Sequence, residues 1–300
     1  MLTKEQRIAS ALERRFPNNK VAPNHYGCLL AEYVESGLAP PNAIEELETG
    51  DEQKFWSLAW ESMLYRHLKA QGYQLRNRNT AAGQDGPDFC FDVNGNTVWV
   101  EAVVPSPEGI PLDYLTPPKP GEIKCGKKPD QPRVLRCTSV IADKMKKFEK
   151  YRARGIIGQN DCTVIAVSIC RLSDMDADGN GISQSPLVME AVFPIGAIAI
   201  PIEADGTLGK AENAPRFVLS KLTGRDIPTG YFLDPRYSGI SAVIQSHQRD
   251  MHGGALVIAT IHNPLATVPL PHGLFGAYKE FLAEEKDEFY HFSDIAPPRG

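Results

Sequence analysis

Two acids, Asp88 and Glu101, flank an Asn94-Gly95 pair. The runs on either side, DFCFDV and NTVWVEAVV, alternate like strands. Asn-Gly between such runs predicts a two-residue type I′ hairpin, because both central residues need positive φ. Val93 then faces Asn96, and stepping outward sets Asp88 opposite Glu101. Parity puts Phe89, Phe91, Val93, Val98, Val100 and Ala102 on one face, and Asp88, Cys90, Asp92, Thr97, Trp99 and Glu101 on the other. Like charges directly opposed destabilise a sheet. A shared proton, a basic side chain or a cation must offset them. Paired carboxylates suit Mg²⁺ or Mn²⁺, which prefer oxygen ligands and keep waters. Such an ion generates a nucleophile at neutral pH and stabilises a phosphoryl transition state. Two ordinary solvated acids are the plain alternative, and a one-residue slip in register would separate the pair.

The surrounding elements must hold this hairpin. Residues 52–71 give the best helix in the chain, with Phe55, Leu58, Ala59, Met63 and Leu68 near helical period and Gly72 as a stop. A strand is predicted at 73–78, a long Pro-, Gly- and Lys-rich loop at 105–132, and a helix at 138–154 capped by Thr138 or Ser139. Residues 162–170, CTVIAVSIC, read as a buried strand. Further on, 187–203, 216–219, 239–245 and 255–262 look β-rich, and 274–290 reads as an amphipathic helix. The fold class expected is α/β, a mixed central β-sheet flanked by helices. Residues 1–50 would be an N-terminal helical extension, 51–170 the core, and 171–300 a β-rich part of the same domain that extends the sheet.

Gly86-Pro87-Asp88-Phe89, with twelve residues separating Asp88 from Glu101 within Val98-Trp99-Val100-Glu101, resembles the PD-(D/E)XK nuclease superfamily. The resemblance covers roughly residues 52–170. It implies a restriction-endonuclease-like core of order α-β-β-β-α-β, with the acids on the second and third strands. It implies that Asp88 and Glu101 bind the metal, that Glu61 in Trp60-Glu61-x-x-Leu64 assists, and that the Ala102 backbone carbonyl is a further ligand. The reaction implied is phosphodiester hydrolysis, on DNA in preference to RNA, and a homodimer is one assembly the family admits. The sequence departs from the pattern at Val103, where the family places a lysine. Some members supply that lysine from the next helix. Lys144 and Lys147 are the candidates here, with Lys144 favoured because Val140, Ile141, Lys144, Phe148 and Tyr151 share a helical face. A lysine that only snorkels over the core edge is the competing reading.

Segment 119–154 holds twelve Lys or Arg against four Asp or Glu, a local excess of eight positive charges in a chain of net charge −5. Lys124, Lys127, Lys128, Arg133, Arg136 and Lys147 are therefore candidates for nucleic-acid phosphates, which take sequence-independent, salt-sensitive contacts. A solvated charged loop is the alternative. Arg76 and Arg78 could extend the patch. Asp174, Asp176, Asp178 and Gly179 resemble half of a calcium loop, but Ser185 stands where the closing Glu belongs. His262-Asn263-Pro264 reads as a capped strand end.

The 300 residues are 42% hydrophobic and 23% charged, an ordinary globular composition. Six cysteines without a C-x-x-C pair predict a reduced, cytoplasmic protein. No apolar run approaches the ~18 residues of a membrane span. No phosphate loop or dinucleotide motif is present. The function expected is a Mg²⁺- or Mn²⁺-dependent nuclease. The alternative is a catalytically silent nucleic-acid-binding or protein-interaction module on the same fold.

Overall fold

The computed structural model describes residues 2–76, 86–119, 121–123, 125–173, 179–221, 224–251, 255–276, 278–286 and 289–295. Helices α1 (Lys4–Arg15), α2 (Val21–Glu35), α3 (Ala43–Glu48) and α4 (Glu52–Ala70) come first. Thr3 and Gln6 form a capping box on α1, and the Asp51 side chain accepts from the Lys54 N–H to start α4. Both sequence signals sit directly before an apolar-periodic run. Strands β1 (Phe89–Val93) and β2 (Asn96–Val103) follow, then a single turn α5 (Leu112–Leu115), the long helix α6 (Asp130–Ala153) and β3 (Cys162–Ser168).

The rest of the chain adds α7 (Met189–Val192), β4 (Ile195–Ala199), β5 (Glu212–Pro215), β6 (Val218–Ser220) and β7 (Asp226–Pro228). Then come β8 (Ala242–Ser246), β9 (Ala259–His262), β10 (Lys279–Lys286) and β11 (Phe289–Ile295). Seven strands form one mixed sheet in the order β1-β2-β3-β8-β9-β10-β11. Strands β2, β3 and β8 run parallel, while β1–β2, β8–β9 and β10–β11 are antiparallel pairs. Strands β4–β5 and β6–β7 form two small separate sheets.

Every residue of β3 is buried, as a central parallel strand covered on both faces requires. On one face Phe89, Phe91, Val98, Val100, Val164 and Ile244 pack with α1, α2 and α4. On the other, Cys90, Trp99, Ile165, Val167 and Val243 pack with α6 and α7. The mixed α/β architecture is therefore as the sequence predicts. The face that carries Asp88 and Glu101 is not a solvated one. It is a second core, closed by α6.

Four sequence expectations are corrected. The predicted strand at 73–78 reduces, among the described residues, to one antiparallel bridge between Arg76 and Cys90. Helix α6 begins at Asp130, not near 138, because Pro132 lies in its first turn, where a missing N–H costs nothing. Thr138 is mid-helix and buried, and its Oγ1 bonds the Val134 carbonyl. Residues 189–192 are helical, not part of a strand run from 187. The predicted helix at 274–290 is instead the β10–β11 hairpin. Its helix-forming residues yield to pairing with β9, and Phe281 and Ala283 meet the α6-side core at strand period.

Candidate functional site

The hairpin is built as the Asn-Gly pair demands, with φ of 51° at Asn94 and 83° at Gly95. The register runs from Val93↔Asn96 to Phe89↔Val100. Asp88, one step further out, thus stands across from Glu101. Alternation of the ladder from the turn makes this a non-hydrogen-bonded pair, the kind with side chains close together. The next pair out is Pro87 with Ala102. Pro87 has no N–H to offer the Ala102 carbonyl, and the Ala102 N–H donates to Asp88 Oδ2 at 2.8 Å.

Glu101 is fully buried. Its Oε1 accepts from Lys144 Nζ at 2.7 Å and Lys147 Nζ at 2.5 Å. These lysines lie three apart on α6 and so share one face. Glu101 Oε2 is also buried and has no hydrogen-bond partner among the described residues. Burial pushes the Glu101 carboxyl above its ordinary value, and the charge of Asp88 pushes the same way, against the two lysines. Burial lowers the Lys147 ammonium, but the charge and hydrogen bond of Glu101 outweigh this and hold it above its ordinary value. Tyr151, whose hydroxyl donates to the Gly86 carbonyl at 3.2 Å, is pushed up to about 12 by burial and by Glu101.

A cavity of about 220 Å³ opens at this point, lined by Asp88, Glu101, Val103, Lys144, Lys147 and Glu61 among others. It lies where β1 begins, so that the end of β2 projects past its neighbour between α4 and α6. Glu61 comes from α4, with its Oε2 accepting from the Tyr33 hydroxyl at 2.9 Å. Gln53 and Ser57 line the same wall. The sequence did not single them out, although Gln53, Ser57 and Glu61 form an i, i+4, i+8 polar stripe along α4. Val103 lines the cavity at the position where the resemblance calls for a lysine.

The structure thus brings together Asp88, Glu101, Ala102, Glu61, Lys144 and Lys147. Among the described residues it does not bring together the predicted basic patch. Arg133 is fully buried, donates to the Leu172 carbonyl at 3.1 Å and stacks near Tyr114. Its place at the start of the buried α6 stripe, ahead of Cys137 and Ile141, turns it inward, away from any phosphate. Lys128 donates to the Asn180 carbonyl at 2.6 Å, and Arg136 pairs with Glu108 at 3.3 Å. Lys127 is exposed. Lys124, Arg78 and the Asp174–Asp178 stretch lie outside the described residues. Arg76 is engaged by Asp92 at 2.8 Å.

None of the six cysteines is in a disulfide. Among the described residues, no helix is long and apolar enough to cross a membrane. No family model matches this chain, and neither a curated protein nor a solved structure matches it.

Proposed function

We propose that this chain is a divalent-metal-dependent nuclease with a restriction-endonuclease-like core, hydrolysing phosphodiester bonds of nucleic acid, DNA in preference to RNA. The observation that carries the reading is the buried Oε2 of Glu101, which has no hydrogen-bond partner among the described residues and lies beside Asp88 and two lysines in one cavity. A buried carboxylate oxygen without a donor is costly, and the donor set here is all oxygen, which fits Mg²⁺ or Mn²⁺. Asp88, Glu101 and the Ala102 carbonyl would hold the ion, with Glu61 at the α4 wall. When bound, the ion supplies Lewis-acid charge to the scissile phosphate and a water more acidic than bulk.

The chain's own groups account for the remaining steps. Lys144 and Lys147 set positive charge where negative charge grows on the phosphate in the transition state. Either ammonium can orient the attacking water by hydrogen bonding. Together they replace the lysine that Val103 does not supply. The Tyr151 hydroxyl, held by Gly86, keeps the segment before Asp88 against α6.

A second reading has its own support. The two ammonium groups on Glu101 Oε1 already offset the opposed acids without any ion. A catalytically silent nucleic-acid-binding or protein-interaction module follows from that balance. Cleavage of pooled single- and double-stranded DNA and RNA, with Mg²⁺, Mn²⁺ or EDTA, decides between the two. Metal-dependent cleavage lost in both Asp88→Ala and Glu101→Ala supports the nuclease. No cleavage, together with no Mn²⁺ binding by calorimetry, supports the silent module.

A further inference from the structure

A second cluster of ligand-type side chains lies at the other end of the sheet. Thr260 and His262 are two apart on β9, so they share the face opposite Ala259 and Ile261, which belong to the α6-side core. Glu280 on β10 is the register partner of Thr260. His272 comes from residues 263–276, which follow β9 and insert Leu270, Leu274 and Phe275 into the α4-side core. From sequence, His262 reads as part of a capped strand end. Asn263 does cap it, donating to the Ile240 carbonyl at 2.8 Å, but the histidine itself is turned to Glu280.

The three donor atoms converge. His262 Nε2 is 3.2 Å and His272 Nδ1 is 3.4 Å from the same oxygen, Glu280 Oε2. All three ligand atoms lie within 4.8 Å of one another. A tetrahedral zinc ion with bonds of about 2.0–2.1 Å separates its ligand atoms by about 3.3 Å. The 3.2 and 3.4 Å separations match that edge. The other carboxylate oxygen, Oε1, accepts from the Gly273 N–H at 2.7 Å, which fixes the orientation of Glu280 as an outer-shell contact does for a metal ligand. Glu280 and His262 are buried, whereas the His272 side chain is 58% exposed. Beside them the Thr260 hydroxyl is buried with no hydrogen-bond partner among the described residues.

We propose that His262, His272 and Glu280 form a transition-metal site of the zinc class, holding one ion with a fourth position open to solvent on the His272 side. Two imidazoles and one carboxylate suit zinc better than the oxygen-seeking Mg²⁺. The ion ties the segment that carries His272 to β9 and β10. This site shares no residue with the acid and lysine cavity.

The test uses the full chain with any affinity tag removed, stripped with chelator and re-equilibrated with Zn²⁺. Metal content after desalting and a competition titration with a chromophoric chelator are read for wild type, His272→Ala and Glu280→Gln, each also in an Asp88→Ala background. One zinc per chain is expected in wild type and in Asp88→Ala. A loss of affinity of about a hundredfold or more is expected in His272→Ala and Glu280→Gln, beyond the range for outer-shell changes. Because His272 is largely exposed, the metal-free His272→Ala protein should melt with metal-free wild type, and zinc should raise only the wild-type melting temperature. Failure of wild type to retain zinc, or equal retention by His272→Ala, overturns the site and leaves a hydrogen-bonded His–Glu cluster.

Discussion

Glu101 on β2 and Lys147 on α6, 46 positions apart in sequence, meet at 2.5 Å over a carboxylate that is fully buried. Lys144 reaches the same oxygen. One oxygen of Glu101 is therefore doubly engaged while the other is left to the cavity. That asymmetry underlies the first two predictions.

If both lysines stabilise transition-state charge, Lys144→Ala and Lys147→Ala each lower the metal-dependent cleavage rate by about a hundredfold or more, as loss of one such donor does. The double variant falls further by less than the product, because both act through one carboxylate. Single-turnover rates at saturating Mg²⁺ check this. A rate unchanged in both single variants would remove the lysines from the chemistry.

Metal affinity at the acid pair should rise with pH. The folded-state carboxyl of Glu101 is raised, first by burial and then by Asp88. A raised carboxyl stabilises the metal-free fold below the unfolded carboxylate value, and this contribution is lost as pH rises through the folded value. An ion that needs the ionised form therefore binds with proton release below and around that folded value. Mn²⁺ calorimetry in buffers of different ionisation enthalpy measures the proton. Wild type should release it, and Glu101→Gln should release none.

Remote from the site, Arg216 spans Asp130 at 2.8 Å and Glu190 at 2.5 Å. Glu190 is fully buried, and burial raises its carboxyl despite hydrogen bonds from Ser183. Arg216→Met strips its cation and should destabilise the fold by about 3–5 kcal/mol, the range for breaking a buried pair from one side. Urea unfolding at neutral pH reads the loss. Glu190→Gln added to Arg216→Met should recover part of it.

The basic residues of the 119–154 segment should separate in a salt titration. If the chain binds DNA as proposed, Lys127→Ala weakens that binding across all sequences and reduces the salt slope by about 1. Arg133→Met should leave that slope alone, because its guanidinium serves the Leu172 carbonyl. Filter binding between low and moderate salt distinguishes them, and a slope altered by Arg133→Met with Lys127→Ala silent would reverse the assignment.

What the sequence made legible was local. Asn94-Gly95 fixes its own turn, and the turn fixes which residues face each other, so Asp88 and Glu101 are paired by arithmetic alone. Lys144 was found from a helical stripe in the same way. Lys147 stood second to Lys144 for the missing lysine and was also counted with the phosphate ligands, because a charge run does not show where each side chain points. Arg133 was misread for the same reason. The β10–β11 hairpin was invisible because Glu, Ala, Lys and Leu favour a helix locally. Its strand state comes from pairing with β9, which no local window contains. Cysteine and histidine counts gave no sign of His272 beside His262, since the connection that joins them is irregular.

The long reach from Glu101 to Lys147 also sets an order of events during synthesis. A chain still lacking α6 has the acid pair but neither ammonium, and Glu101 then has no reason to be buried. A chain that ends before residue 147 lacks the Lys147 ammonium and that part of the cavity wall. The charge balance of the pocket thus depends on α6 docking on the sheet, because both ammonium groups on Glu101 come from that one helix.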